Sequence, residues 1–208
     1  MKKIALLCSL VILCSAIAAA PVKNSRPWEY SRTISDVKIY QRPGTTPGIF
    51  EFMAITTLNV SPDSIQKIVM DIPNNQHWMA DCVHSEYITK TESGDIIAYY
   101  ITAPPWPVSR RDSVIKIKSE TLSGRTVFTM SSLPEGEAEK YKAVNPDYVR
   151  IHIMEGEVIL NEISKGQTEV KFSAAGESGG DVPHFIVKMG GWVIPFKTLT
   201  GLKKYSLL

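Results

Sequence analysis

Cysteine is nearly absent from this 208-residue chain, with three in all. Two of them, Cys8 and Cys14, fall within the first twenty residues, so Cys82 stands alone in the body of the chain. One thiol cannot close an internal disulfide, and a small buried side chain is the simpler use for it. Excess charge is lacking as well. Lysine and arginine number 23 against 21 aspartates and glutamates, and the difference is the pair Lys2 and Lys3. A balanced chain has no basic stripe to hold a phosphate backbone, so no nucleic-acid partner is expected. Long apolar runs are missing too, apart from the one from Ile4 to Ile17. That run is shorter than the roughly 20 residues a membrane-spanning helix needs.

The same run has another use. Lys2 and Lys3 precede it, and Ala16-Ile17-Ala18 closes it with a small-x-small pattern. Residues 1–18 are therefore expected to be a secretory signal peptide, cut at about residue 18–20. Cys8 and Cys14 each follow leucine, which disfavours a lipoprotein site. The protein is expected to be exported, with the periplasm as its compartment. Residues 19–33 read as an N-terminal extension, and residues 34–205 as one domain large enough for a substantial core.

Catalytic constellations are also missing. Gly176-Glu177-Ser178-Gly179-Gly180 fits the Gly-x-Ser-x-Gly pattern, but a nucleophile elbow needs an acid and then a histidine further along. Beyond Ser178 only Asp181 and His184 qualify, both within two turns, and no βαβ units precede them. A glycine-rich turn between strand and helix is the better account. His77, Asp81, Cys82 and His84 are metal-like in type, yet their spacing fits no zinc signature and apolar residues interleave them. No cofactor or metal is expected.

What is present is alternation. Strands are expected at Val37–Tyr40, Ile49–Leu58, Ser85–Thr91, Ile96–Thr102, Ser113–Ser119, Thr126–Ser131, Val149–Leu160 and Thr168–Ala174. Short connections between them make antiparallel neighbours. A short helix is expected around Trp28-Glu29-Tyr30. Another begins at Ser61, a good N-cap, with Pro62 in the first position, and stops before Pro73. Near the end, Val182, Phe185, Ile186, Met189, Val193, Phe196, Leu199 and Leu202 recur with a helical period. Gly190, Gly191 and Pro195 should weaken or kink its middle. The fold class is thus α+β, a curved antiparallel sheet wrapped around a long C-terminal helix.

Such a sheet bends as its twist accumulates, and one helix need not fill the hollow. By alternation Ile115, Ile117, Val149, Ile151, Ile153, Val170 and Phe172 point inward, toward Phe185, Met189 and Trp192 on the helix. Whether they enclose a cavity or interdigitate as a packed core is open at this level.

Several motifs sharpen the reading. Ile97–Lys118, IAYYITAPPWPVSRRDSVIKIK, resembles the strand–loop–strand of START (StAR-related lipid-transfer) domains, where a proline-rich corner leads into Arg-Asp and a strand. Asp147-Tyr148-Val149-Arg150 resembles a later strand of that family, and Gly166–Pro183 its closing segment. Trp78 falls where the family carries a tryptophan after its short helices. The likeness runs from Ile34 to about Lys204. It implies a helix-grip fold with an internal hydrophobic cavity that holds one lipid, sterol or isoprenoid-like ligand, closed by the C-terminal helix. A cyclase- or hydrolase-like enzyme in the same cavity is the alternative, and a filled interaction module ranks third. Two departures stand out. Glu177-Ser178-Gly179-Gly180 replaces the family's Asp-Pro-Gly-Gly, and Ile117 lies where some sterol binders place an inward charge.

The expected ligand-binding residues are Trp78, Tyr100, Arg111, Ile115, Ile117, Ile151, Ile153, Phe172, Phe185, Met189 and Trp192. Arg111 admits three roles: gripping a headgroup, charging an entrance, or fixing the corner. The expected partner is a hydrophobic small molecule or lipid. Contact with a membrane should be transient, and the protein a monomer.

Overall fold

Ten strands make one sheet in the computed structural model, which describes residues 24–45, 49–177, 179–180, 182 and 191–208. In chain order they are β1 (Glu29–Ile34), β2 (Val37–Pro43), β3 (Phe50–Leu58), β4 (Cys82–Lys90), β5 (Ile96–Thr102), β6 (Arg111–Leu122), β7 (Arg125–Ser132), β8 (Val149–Arg150), β9 (Met154–Ser164) and β10 (Gln167–Gly176). The spatial order is β1-β2-β3-β10-β9-β7-β6-β5-β4, antiparallel throughout, with β8 added in parallel beside the start of β6. Helix α1 (Pro62–Met70) and a 3-10 turn (Ile72–His77) carry the chain from β3 to β4 at the far edge, and α2 (Val193–Tyr205) ends it.

Local chemistry accounts for these elements. Ser61 Oγ accepts from the Ser64 N–H at 3.3 Å and Pro62 occupies the first turn, so α1 starts as its sequence dictates. It buries Ile65 and Val69. Leu199 and Leu202 are the buried stripe of α2, which lies against β2, β3 and β10. Pro195 sits in the first turn of α2, where its missing N–H breaks no helical bond. The Gly191–Trp192 pair is a turn ahead of the helix. The expected helical stretch 183–190 lies outside the described residues. At Gly201 the helix comes so near the Trp78 carbonyl that a Cβ would lie 2.2 Å from its oxygen.

Three expectations are corrected. Trp28-Glu29-Tyr30 does not start a helix, because Glu29–Ile34 pairs with β2 through a tight turn at Ser35 (φ 55°) and Asp36. Ser-Asp lacks the Asn-Gly signature by which such turns are recognised. The stretch from Val149 to Leu160 is two strands, because Glu177 Oε1 takes the N–H groups of His152 and Ile153 at 2.9 and 3.1 Å. Those donors are satisfied off the ladder, and the chain turns out of the sheet. Nor are all connections short. Residues 133–148 cross the outer face of the sheet before β8 pairs in parallel with β6.

Apolar side chains separate by face. Inside, under the helices, one cluster centres on Phe128, Leu160, Val170, Phe172, Leu199 and Trp78. It meets a second built on Ile72, Ala98, Tyr100, Ile115 and Ile117, through methionines 70, 79 and 130, which pack against both. On the outer face Ile97, Tyr99 and Val114 lie under Leu133 and Ala138 of the 133–148 segment.

Candidate functional site

Adjacent residues of β6 point to opposite faces, and this separates Arg111 from Asp112. Asp112 is 2% exposed on the outer face. Its carboxylate accepts Arg150 Nε at 2.9 Å and Nη2 at 2.8 Å, and the Tyr99 hydroxyl at 2.9 Å. Arg150 also reaches the carbonyls of Lys142 and Ala143 and lies 3.3 Å from Glu139. The Asp112 carboxylate holds the Arg150 guanidinium above its usual range, and burial beside Asp112 pushes the Tyr99 hydroxyl up. This fork fastens the 133–148 segment and β8 to the sheet.

Arg111 turns inward beside Thr102, at the end of the sheet where β5 passes into β6. Its guanidinium donates to the Ser109 carbonyl and, at 3.4 Å, to the Gly179 carbonyl. Burial lowers its pKa. Arg111 thus ties the β5–β6 corner to the segment after β10. Gly179 itself has φ +61°, and a Cβ there would lie 2.7 Å from Ile151 Cδ1 and 2.9 Å from Val149 Cγ1. Only glycine suits that position. Gly179 is therefore clamped between Arg111, Val149 and Ile151, while Ser178, Asp181 and His184 lie outside the described residues.

Inward positions change character toward this end. Deep in the sheet they are large and fully buried: Phe128, Leu160, Val170, Ile115 and Ile117. Toward the β5–β6 end they become Ser113, Ser132, Gly156, Ala174 and Gly176, flanked by Met130 and Met154. These are neighbours across the ladder: Gly156 lies opposite Met130 and Ala174, Gly176 opposite Met154, and Ser132 opposite Ile115. All but Gly156 are half-buried. At Gly176 a Cβ would lie 2.7 Å from the Ile153 carbonyl, and at Gly156 3.1 Å from Met130 Cε, so backbone and methionine already use the space there. Room that the sheet itself does not fill is left by the short side chains of Ser113, Ser132 and Ala174, beside a methionine that adapts to irregular occupants.

Below that end, Asn75 is 2% exposed and organises a polar knot. Its Nδ2 donates to the Tyr100 hydroxyl at 3.1 Å and the Val69 carbonyl at 3.3 Å, and its Oδ1 accepts from Trp78 Nε1 at 3.1 Å. Burial pushes the Tyr100 hydroxyl well above its ordinary pKa, so it stays protonated. Cys82 nearby donates to the His84 carbonyl at 3.3 Å, and burial raises its thiol to about 11. The other metal-like side chains diverge. His77 stacks on Tyr205, Asp81 pairs with Lys197 at 2.8 Å, and His84 approaches Glu86 at 3.5 Å.

The structure brings Trp78, Tyr100, Arg111, Ile115, Ile117 and Phe172 onto the inner face. Trp192 packs at the edge of the first cluster, with Arg32 stacked 4.7 Å from its ring. Ile151 is half-buried against Gly179. Ile153 is not inward: it is 58% exposed, because the alternation counted from Val149 is lost where the chain leaves the sheet. Phe185 and Met189 lie outside the described residues. Sequence reasoning missed Asn75, since an asparagine in a short turn looks like surface until Tyr100 and Trp78 close over it. It also missed the row of small residues, which can be recognised only once cross-strand register is known.

No protein-family model matches the chain. An uncharacterized protein of Pseudomonas aeruginosa is 23% identical over 194 residues, 93% of each chain. The phosphatidylcholine transfer protein of Bos taurus is 20% identical over 170 residues, 80% of this chain and 78% of its own. Among solved structures, a STAR-related lipid transfer protein fragment from Xanthomonas axonopodis superposes with a TM-score of 0.78 at 23% identity, covering 87% of this chain and 99% of its own. Human StAR-related lipid transfer protein 5 gives 0.75 at 14% identity, covering 88% and 87%. The chain has the helix-grip fold of START domains, the fold its proline-rich corner and closing segment resemble.

Proposed function

We propose that this protein binds one hydrophobic lipid between its sheet and its C-terminal helix and carries it between membranes. The observation that supports this best is the set of short inward side chains Ser113, Ser132 and Ala174, with Gly156 and Gly176 beside them, above an uncharged floor. On a fold shared with lipid-transfer proteins, that set makes space for a ligand whose affinity comes from buried apolar area, about 25 cal/mol per Å². Inward titratable groups favour binding over a cyclase or hydrolase. Arg111 is engaged by carbonyls, and burial raises Tyr100 and Cys82 away from proton exchange near neutrality. Native mass spectrometry of the gently purified protein, followed by denaturing extraction, should show one lipid per chain. A chain that carries none and takes none from a lipid panel would sink the proposal.

The carrier works outside the cytoplasm in this reading, supported by the Lys2–Lys3 start, the apolar run and the Ala16-Ile17-Ala18 pattern. N-terminal sequencing of the processed protein tests it, with a start near residue 19–21 expected. Among the described residues no helix is long and apolar enough to cross a membrane. Membrane contact is transient, through the β5–β6 corner, where Trp106 is 93% exposed between prolines and beside the exposed Arg110. Tryptophan prefers the membrane–water boundary. Trp106→Ala should slow lipid transfer between vesicles about tenfold while leaving the amount bound per chain unchanged. Equal transfer rates would remove the corner from the contact.

A further inference from the structure

We infer that the ligand is an uncharged lipid bearing a single oxygen function, an alcohol, ketone or ester, and that phospholipids are excluded. This rests on the binding proposal above and narrows it. Among the described inward positions of β3, β5, β6, β7, β9 and β10, Arg111 is the one charged side chain that is buried; Glu162, opposite Thr168 at the other end of β9, is exposed to solvent. Its guanidinium is already held by the carbonyls of Ser109 and Gly179, the two segments it joins. A phosphodiester drawn inside would have to displace those bonds and dismantle the corner, or remain buried without a cation. Either carries a cost that a neutral lipid of the same apolar area avoids. The floor is equally uncharged: Ile117 is 4% exposed and packs with Ile96, Ala98 and Ile115.

Among the described inward residues, the most deeply buried donor with capacity to spare is on β5, while Ser113 opposite it is only half-buried. The Tyr100 hydroxyl accepts from Asn75 and, among the described residues, has no acceptor for its own hydrogen. It is 6% exposed, faces inward opposite Ser113, and lies below the row of small residues. A buried donor in that state matches a neutral oxygen on the ligand. Asn75, itself fixed by Val69 and Trp78, orients the hydroxyl so that its hydrogen points away from the amide.

The full processed chain should be incubated with vesicles of phosphatidylcholine and phosphatidylglycerol containing geranylgeraniol, then re-isolated and its lipid quantified. The alcohol should be bound at least about tenfold over either phospholipid, though phospholipid dominates the vesicle. A phospholipid bound near one per chain would overturn the inference and leave the binding proposal standing. A chain that takes up no lipid would overturn both. In parallel, Tyr100→Phe should retain geranylgeraniol about tenfold less well and the hydrocarbon squalene equally well. Equal loss of both ligands would refute the role given to the hydroxyl, since damage to the fold does not distinguish an alcohol from a hydrocarbon.

Discussion

Asp112→Ala should lower the stability of the folded protein by about 3–5 kcal/mol, measured by urea unfolding of the processed chain. The substitution leaves Arg150, whose side chain is 4% exposed, without the carboxylate that receives two of its N–H groups. It also leaves the Tyr99 hydroxyl without an acceptor. Glu139 and two carbonyls remain to Arg150, but Glu139 is 3.3 Å away and partly exposed, so it offsets only part of the loss. Arg150→Met should cost a similar amount, by stranding the Asp112 carboxylate. The double substitution Asp112→Leu with Arg150→Met should recover at least half of either loss, because two apolar groups need no partner. The consequence reaches the inner face. Arg150 holds β8, and Val149 of β8 packs on Gly179, whose carbonyl Arg111 binds. An Asp112→Ala variant within about 1 kcal/mol of the parent would show that the fork is not buried as described.

Ala174→Trp should reduce lipid retention by at least about a hundredfold while shifting the melting temperature by no more than a few degrees. Ala174 is half-buried on β10, opposite Phe52 of β3 and Gly156 of β9, within the row of small inward residues. An indole there occupies the volume assigned to the ligand. The two readouts separate the readings that sequence alone left open. If the interior is hollow, the added ring fills space and stability is kept. If it is already packed, the ring must force neighbours aside, at about 1–3 kcal/mol, and melting falls with no ligand to lose.

Much of this was legible in the chain. Ile96–Thr102, a short run of apolar and β-branched residues, is the strand observed, and Ser61-Pro62 marks the start of α1 because both its capping oxygen and its ring act locally. Ile115, Ile117 and Phe172 were placed inward by period-two counting, which is reliable within one unbroken strand. The same counting failed at Ile153. The interruption comes from Glu177, more than twenty residues away, and nothing in the local pattern announces a carboxylate borrowed from a distant segment. Strand β1 was missed for a related reason: its turn is Ser-Asp, and only pairing with β2 selects the extended form.

Arg111 and Asp112 show where the boundary lies. Their sequence, one after the other at the head of a strand, determined that they point to opposite faces, since alternation is a property of the backbone. It also determined an α+β chain with one cysteine beyond the first twenty residues, nearly balanced charge and an apolar helical stripe at its end. Tertiary structure alone decided that Asp112 meets Arg150 and Tyr99, that Arg111 closes on the Gly179 carbonyl, and that Ser113, Ser132, Gly156, Ala174 and Gly176 gather at one end of the inner face. Those contacts join residues far apart in sequence through cross-strand register and close packing, and neither can be read from one strand at a time.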